Sequence, residues 1–230
     1  MIATERFVFL HLHKSGGTFV NECLVRFLAD ARQLGYHLPR KLIPPNLVQL
    51  PVLGLVRNPW SYYISWFSFQ AARPQPNALF RVLSEAGRLG FSATLRNMLS
   101  LGKDEALLDR VIAALPSQYT HAGLNLPGFA LEPMRNSGWG FYTFLYRYMY
   151  DSGTSALHLG RMESLRDDLL AMLAKVEQPV SDALRAHILH RGPANASGHA
   201  AYAEYYDAEL RELVAARDAE IIARHGYCFG

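Results

Sequence analysis

The amino-acid sequence predicts an α/β fold in which a central, mainly parallel sheet is flanked by helices. Two runs, 7–12 and 51–56, are apolar at nearly every position, as strands buried on both faces are. Each gives way to a stretch of helical periodicity. Between strand and helix stand glycines in the first case and Asn58-Pro59 in the second, residues that turn a chain. With 230 residues, half of them hydrophobic and 19% charged, the chain has the material for one large domain and a sizeable core. General disorder needs the reverse balance and is excluded.

The elements follow in order. Phe7-Val8-Phe9-Leu10-His11-Leu12 reads as a strand, and Lys14-Ser15-Gly16-Gly17-Thr18 breaks it. From Phe19 to about Arg32, Val20, Cys23, Leu24, Phe27 and Leu28 recur at helical spacing. Pro51 to Val56 reads as a second buried strand. Asn58 is placed to cap the next helix, with Pro59 at its first position and its end near Gln70. Ala156 to Leu159 is a third strand candidate. Ser164, with Asp167 three residues on, resembles a capping box for a helix from Leu165 to Val176. A last long helix, roughly Ala200 to Arg224, stops at His225-Gly226. Between about 73 and 137 the pattern is less regular, with helical stretches at 79–83 and 106–115 among Pro- and Gly-containing loops. We therefore expect a single domain over 1–230, with 73–137 as an insertion covering the carboxyl ends of the strands, where such folds bind ligands.

Charge and cysteine content narrow the function classes. A net charge of +3, from 23 Lys and Arg against 20 Asp and Glu, is too mild for a nucleic-acid partner but fits one local anion site. Cys23 and Cys228 lie near opposite ends without metal-ligand spacing and read as two buried thiols in a reducing compartment, with a single disulfide as the alternative. The start of the chain lacks a signal-peptide pattern, and no run approaches the ~20 apolar residues of a membrane helix. A cytoplasmic location is the expectation.

Two motifs carry chemistry. Strand, Lys-Ser-Gly-Gly-Thr, then helix suits an anion: glycines admit it to the backbone, helix N–H groups point at it, and Lys14 and Thr18 add a charge and a hydroxyl. The plain alternative is a tight turn that only needs glycine. It is not the G-x-x-x-x-G-K-[ST] loop of ATPases and kinases, since the lysine precedes the glycines. The second motif is Arg57 at a strand end, with Ser61 and Ser65 at steps of four on one helical face. Arginine suits bidentate phosphate contact; the alternative is an ion-paired arginine and two solvent-facing serines. Two anion sites at the ends of neighbouring strands suggest one ligand with two separated phosphates.

Together these residues resemble the sulfotransferases that use 3′-phosphoadenosine 5′-phosphosulfate (PAPS), which have a three-layer P-loop-like fold. His13-Lys14-Ser15-Gly16-Gly17-Thr18-Phe19 is similar to their 5′-phosphosulfate loop, and Arg57-Asn58-Pro59 with Ser65 to their 3′-phosphate motif. Gly160-Arg161-Met162-Glu163-Ser164-Leu165 resembles their strand-end segment. Tyr202, Tyr205-Tyr206-Asp207, Leu210, Val214, Asp218 and Gly226-Tyr227-Cys228-Phe229 resemble the closing helix of bacterial and carbohydrate sulfotransferases. The resemblance implies PAPS as donor, adenosine 3′,5′-bisphosphate as spent donor, no metal, and an acceptor hydroxyl, by resemblance that of a carbohydrate. Lys14 would stabilise the leaving oxygen, the amides of Ser15 to Thr18 would hold the 5′-phosphate, and Arg57 and Ser65 the 3′-phosphate. His37 is the first choice of general base, because relatives place a histidine in this interval, and Glu22 is the second. His11 reads as a strand residue of the core, and His13 as loop structure beside the donor.

Weaker candidates remain. Arg191, in His190-Arg191-Gly192, is a further 3′-phosphate candidate or a plain loop residue. Asn195-Ala196-Ser197 fits a glycosylation sequon or a loop. The aromatic run Trp139 to Tyr150 reads as core before it reads as a sugar platform, and Arg135 is either a surface arginine or a contact for an acidic acceptor. A non-catalytic PAPS-binding protein of the same fold and a P-loop kinase stay open as alternatives. The kinase would require Mg²⁺ and a lysine-serine pair that is absent. The segment 73–137 matches no motif, and acceptor specificity is expected there.

Overall fold

The computed structural model describes residues 1–120, 123–192 and 201–230. The sequon at 195–197 lies outside them, as does the start of the last predicted helix at Ala200. The chain divides into two compact units, 1–57 with 148–196 and 58–147 with 197–230. The second unit is thus larger than the 73–137 segment that the sequence sets apart.

The first unit holds the sheet. Its strands are β1 (Ile2–Ala3), β2 (Val8–Leu10), β3 (Arg32–Gln33), β4 (Val52–Val56) and β5 (Leu157–Arg161), in the order β3-β1-β2-β4-β5. β2 pairs with β4, and β4 with β5, in parallel; β1 is antiparallel to both β2 and β3. The sheet is therefore mixed, parallel across β2, β4 and β5 and antiparallel across β1 and β3. The first five residues, which had no predicted element, supply β1. Thr4 makes the reversal: its hydroxyl accepts from the Arg6 and Phe7 amides at 3.2 and 3.0 Å.

Helices α1 (Gly17–Phe27), α7 (Leu165–Lys175) and α8 (Asp182–His190) join one core with the sheet, in which Phe9, Leu53 and Leu55 meet Val20, Leu24, Leu173 and Ile188. Successive strand residues point to opposite faces, and Gly54, between Leu53 and Leu55, meets Tyr150, the last residue of α6 (Phe141–Tyr150). A Cβ on Gly54 would stand 2.6 Å from the Tyr150 ring. Where β2 stops pairing at Leu10, the Tyr150 hydroxyl takes over, donating to the Leu55 carbonyl (3.0 Å) and accepting from its amide (3.2 Å). α1 ends at Phe27 rather than Arg32, because the chain turns extended at Leu28. Ser164 precedes α7 as expected but makes no capping bond; its hydroxyl and the Arg161 amide both donate to Asp168 instead.

The second unit is helical: α2 (Pro59–Ala71), α3 (Ala78–Leu83), α4 (Phe91–Ser100), α5 (Glu105–Ala114), most of α6, α9 (Ala208–Arg217) and α10 (Ala219–His225). Asn58 caps α2 as predicted, accepting from the Trp60 and Ser61 amides, with Pro59 at the first position. α4 was not predicted, although Leu95, Met98 and Leu99 bury one helical face. The predicted closing helix is broken: Asp207 caps α9 by accepting from the Leu210 amide, and the chain re-caps at Asp218. The stop at Gly226, in the left-handed conformation, stands. The aromatic run is core, with Phe141, Tyr142, Phe144 and Tyr146 all buried. Both cysteines are free thiols, Cys23 buried as expected and Cys228 exposed, against expectation. No helix of the described residues is long and apolar enough to cross a membrane.

Candidate anion-binding site

In the first unit the chain leaves β2 at Leu10 and enters α1 at Gly17 through a loop held in an uncommon conformation. Lys14 sits at φ +57° and Gly16 at +83°. A lysine in the left-handed region is held there at a cost of about 1 kcal/mol or more. One restraint is Arg57, at the end of β4, whose Nη1 donates to the Lys14 carbonyl at 3.1 Å. The two motifs that sequence placed 43 residues apart are thereby joined in one hydrogen bond.

The glycines are required sterically. A Cβ on Gly16 would lie 2.5 Å from Met162 Sδ, and one on Gly17 2.0 Å from the His11 ring. Gly16 is the N-cap of α1 and has no side chain to spend on capping, so the first-turn N–H groups lack the usual side-chain acceptor. The Phe19 amide turns back to the Gly16 carbonyl at 3.1 Å. Ser15 is wholly buried, Thr18 is exposed, and Phe19 belongs to the core with Arg166 over its ring.

Beside this loop lie three histidines, each less than 10% exposed: His11, His13 and His37. The His37 ring lies 4.4 Å from that of His11 and 5.2 Å from that of His13, centroid to centroid. His37 is itself at φ +50°. Its Nδ1 is 2.8 Å from the main-chain oxygen of His11. A carbonyl only accepts, so Nδ1 carries the proton and Nε2 keeps the lone pair. His11 is oriented by Asn21, whose Nδ2 donates to its Nδ1 at 3.3 Å. His13 Nδ1 is buried with no hydrogen-bond partner among the described residues. No three His, Cys, Asp or Glu side chains among the described residues are grouped to hold a metal ion.

Burial dominates the electrostatics. It lowers the His11 and His13 pKa values well below the usual 6.5, and that of His37 to about 4. All three are neutral at neutral pH. Burial, and then the neighbouring Arg57, lower Lys14 to about 8, so its ammonium is charged at neutral pH but a better proton donor than an ordinary lysine.

Other predicted residues have surroundings of their own. Glu22, the alternative base, faces α8: Arg191 Nε donates to its Oε1 at 3.2 Å, and His187 Nε2 lies 3.3 Å from the same atom, within ion-pair range but without hydrogen-bond alignment. The Arg191 hydrogen bond holds the Glu22 carboxyl below the usual range. The two residues proposed for separate roles, Glu22 and Arg191, thus engage each other. Ser65 is buried on α2 in the second unit. Arg135, the candidate for an acidic acceptor, is occupied by Asp109 and Glu132 at 2.7 and 3.1 Å. What sequence reasoning missed is the assembly of His11 and His13 around His37; the only signal was His-x-His at a strand end. No protein-family profile matches the chain, and no curated protein matches it.

Proposed function

We propose that the protein is a sulfotransferase that moves a sulfuryl group from PAPS to an acceptor hydroxyl, that of a carbohydrate by the resemblance. The observation that carries the reading is the Arg57 guanidinium on the Lys14 carbonyl, which puts an arginine and a bare helix N-terminus together at the ends of two parallel strands. Backbone amides at Ser15 to Thr18 would hold the 5′-phosphate, with Arg57 at the 3′-phosphate. The orphaned His13 Nδ1 and the side-chain-free cradle at Gly16 and Gly17 are what such a ligand would meet.

Sulfuryl transfer asks for positioning and charge stabilisation rather than a covalent intermediate. The acceptor oxygen forms its bond to sulfur as the bond from sulfur to the bridging oxygen breaks. The acceptor proton passes to His37 Nε2, which is unprotonated at neutral pH and whose lone pair the Nδ1 bond to the His11 carbonyl leaves free. Lys14 meets the charge on the departing oxygen, and a pKa of about 8 lets it give up a proton there. Glu22, engaged by Arg191, is disfavoured as base.

The test is calorimetric titration with adenosine 3′,5′-bisphosphate. Wild type should bind without Mg²⁺, and Arg57→Ala should bind at least tenfold more weakly, the loss of about 1.4 kcal/mol or more that one charge-assisted contact represents. Absence of binding by wild type, or preference for ATP with Mg²⁺, would sink the reading in favour of the kinase alternative.

A further inference from the structure

Outside one cleft, five of the seven arginines of the second unit meet a carboxylate. Arg96 pairs with Asp207 and Glu209, Arg135 with Asp109 and Glu132, Arg147 and Arg224 with Glu220, and Arg211 with Glu212. A different pattern holds around one open cleft of about 510 Å³ beside α3 and α5, lined by Arg81, Arg88 and Arg110. Its one carboxylate, Glu85, meets Arg88 at 3.2 Å. Arg81 makes a single bond, to the Pro76 carbonyl. Arg110 has no partner among the described residues, because its sequence neighbour Asp109 is given to Arg135. One cleft therefore holds three guanidiniums against one carboxylate.

The rest of the lining suits a ligand. Ala78, Val82, Ala86 and Ala114 leave room between the guanidiniums, and the volume is that of a small-molecule site. Glu85, Ala86 and Gly87 are successive left-handed residues, at φ +51°, +61° and +88°. Strain of this kind collects at sites where wall shape matters. No aromatic side chain lines the cleft, which removes the stacking platform that single-stranded nucleic acid uses. No large apolar side chain lines it either, as insertion into a membrane surface would require.

We propose that this cleft is an oxyanion site for the sulfate or carboxylate groups of a soluble ligand, with Arg81 and Arg110 as its principal contacts. Guanidiniums bind both groups in bidentate fashion. The assignment does not rest on the PAPS reading, since it concerns other residues and another unit.

The experiment is fluorescence anisotropy with a labelled, sulfated, uronic-acid-containing octasaccharide. Wild type should bind it and not a neutral octasaccharide, with affinity falling as salt screens the contact. Arg81→Gln with Arg110→Gln should weaken binding about tenfold or more, the equivalent of losing charge-assisted contacts. Arg110→Gln alone should give part of that loss, and Arg211→Gln should leave affinity within about twofold, its charge being matched by Glu212. All three side chains being changed are solvent-facing, and circular dichroism would confirm the fold. No binding by wild type, equal binding by the double variant, or equal loss in Arg211→Gln would overturn the site. Displacement of the octasaccharide by phosphatidylserine vesicles or oligo-dT at lower concentration than by unlabelled octasaccharide would overturn the ligand class. Titrating the double variant with adenosine 3′,5′-bisphosphate separates the two proposals, because that affinity should be unchanged.

Discussion

Two buried polar clusters, one in each unit, are built on opposite terms. In the second unit Asp218 is wholly buried, and its carboxylate accepts from Tyr63 Oη at 2.6 Å, the Thr143 amide at 2.8 Å and the Thr143 hydroxyl at 2.7 Å. The Tyr63 hydroxyl in turn accepts from the Tyr142 amide at 3.1 Å. In the first unit the His11, His13 and His37 corner holds two non-glycine residues at positive φ, Lys14 and His37, and leaves His13 Nδ1 without a partner. A cluster satisfied from within the chain ties helices together. On the proposed reading, one left strained and unfinished is where a ligand would complete the structure. The comparison separates structural from functional burial by hydrogen bonds rather than by exposure.

The largest test removes the satisfied carboxylate. Asp218→Ala orphans the three donors that meet it on α2 and α6 and should cost about 3–5 kcal/mol of stability in urea unfolding. Affinity for adenosine 3′,5′-bisphosphate, measured on whatever fraction stays folded in the cold, should hold within about threefold. A smaller stability loss, or a selective loss of nucleotide binding, would collapse the distinction between the clusters.

The converse is Lys14→Met. Removing a half-desolvated cation from a left-handed position should leave the melting temperature within ~2 °C, while PAPS-dependent turnover falls on the order of 10²–10³-fold. On the proposed chemistry, turnover of wild type should also fall as pH rises through about 8, when Lys14 loses its proton. A pH profile flat to 9.5 would remove Lys14 from the reaction.

Which parts of this were legible from sequence follows from the range of the forces involved. Strand, glycine loop and helix around Lys14 are written in neighbouring residues, as is the Asn58-Pro59 cap, and both stand in the structure. β1, two residues long, has no periodicity to read; it exists because Thr4 reverses the chain onto β2. The closing helix looked continuous because Asp207 and Asp218 fit the helical repeat. Their carboxylates instead cap α9 and fill the cluster with Tyr63, 155 residues away. The same limit applies to the arginines: Arg135 and Arg110 are alike in sequence, and only the fold decides which one Asp109 neutralises.

Gly17→Ala brings an intermediate effect. The new methyl would meet the His11 ring, already packed against His37, and overpacking of this kind costs about 1–3 kcal/mol. Relief by rotation of His11 would break its contact with Asn21 and disturb the carbonyl that fixes the His37 proton. Nucleotide affinity should therefore fall together with stability, whereas Asp218→Ala lowers stability alone. Calorimetry and a thermal melt on the two variants suffice to separate them.

The smallest effect is a difference in sign. His11, His13 and His37 have folded-state pKa values below the ordinary 6.5, so they take up protons more readily when unfolded. Their share of stability is complete above 6.5 and is lost as pH falls from there toward about 4, the His37 value. Lys14, charged beside them, acts in the same direction on His11 and His13 by opposing a further charge. Asp218 is raised from 3.8 to about 6 by burial, against the pull of Tyr63 and Thr143. It binds a proton more tightly when folded, so its contribution is greatest below 3.8 and is lost as pH rises toward 6. Acidification from pH 7 to 5 should thus loosen the first unit and tighten the second. Hydrogen exchange, corrected for the intrinsic pH dependence of the amide rate, reads this directly: protection should fall in β2, β4 and α1 and hold or rise in α2, α6 and α10. The same direction in both units would mean that the carboxylate and the histidines do not govern the acid response of the elements they hold.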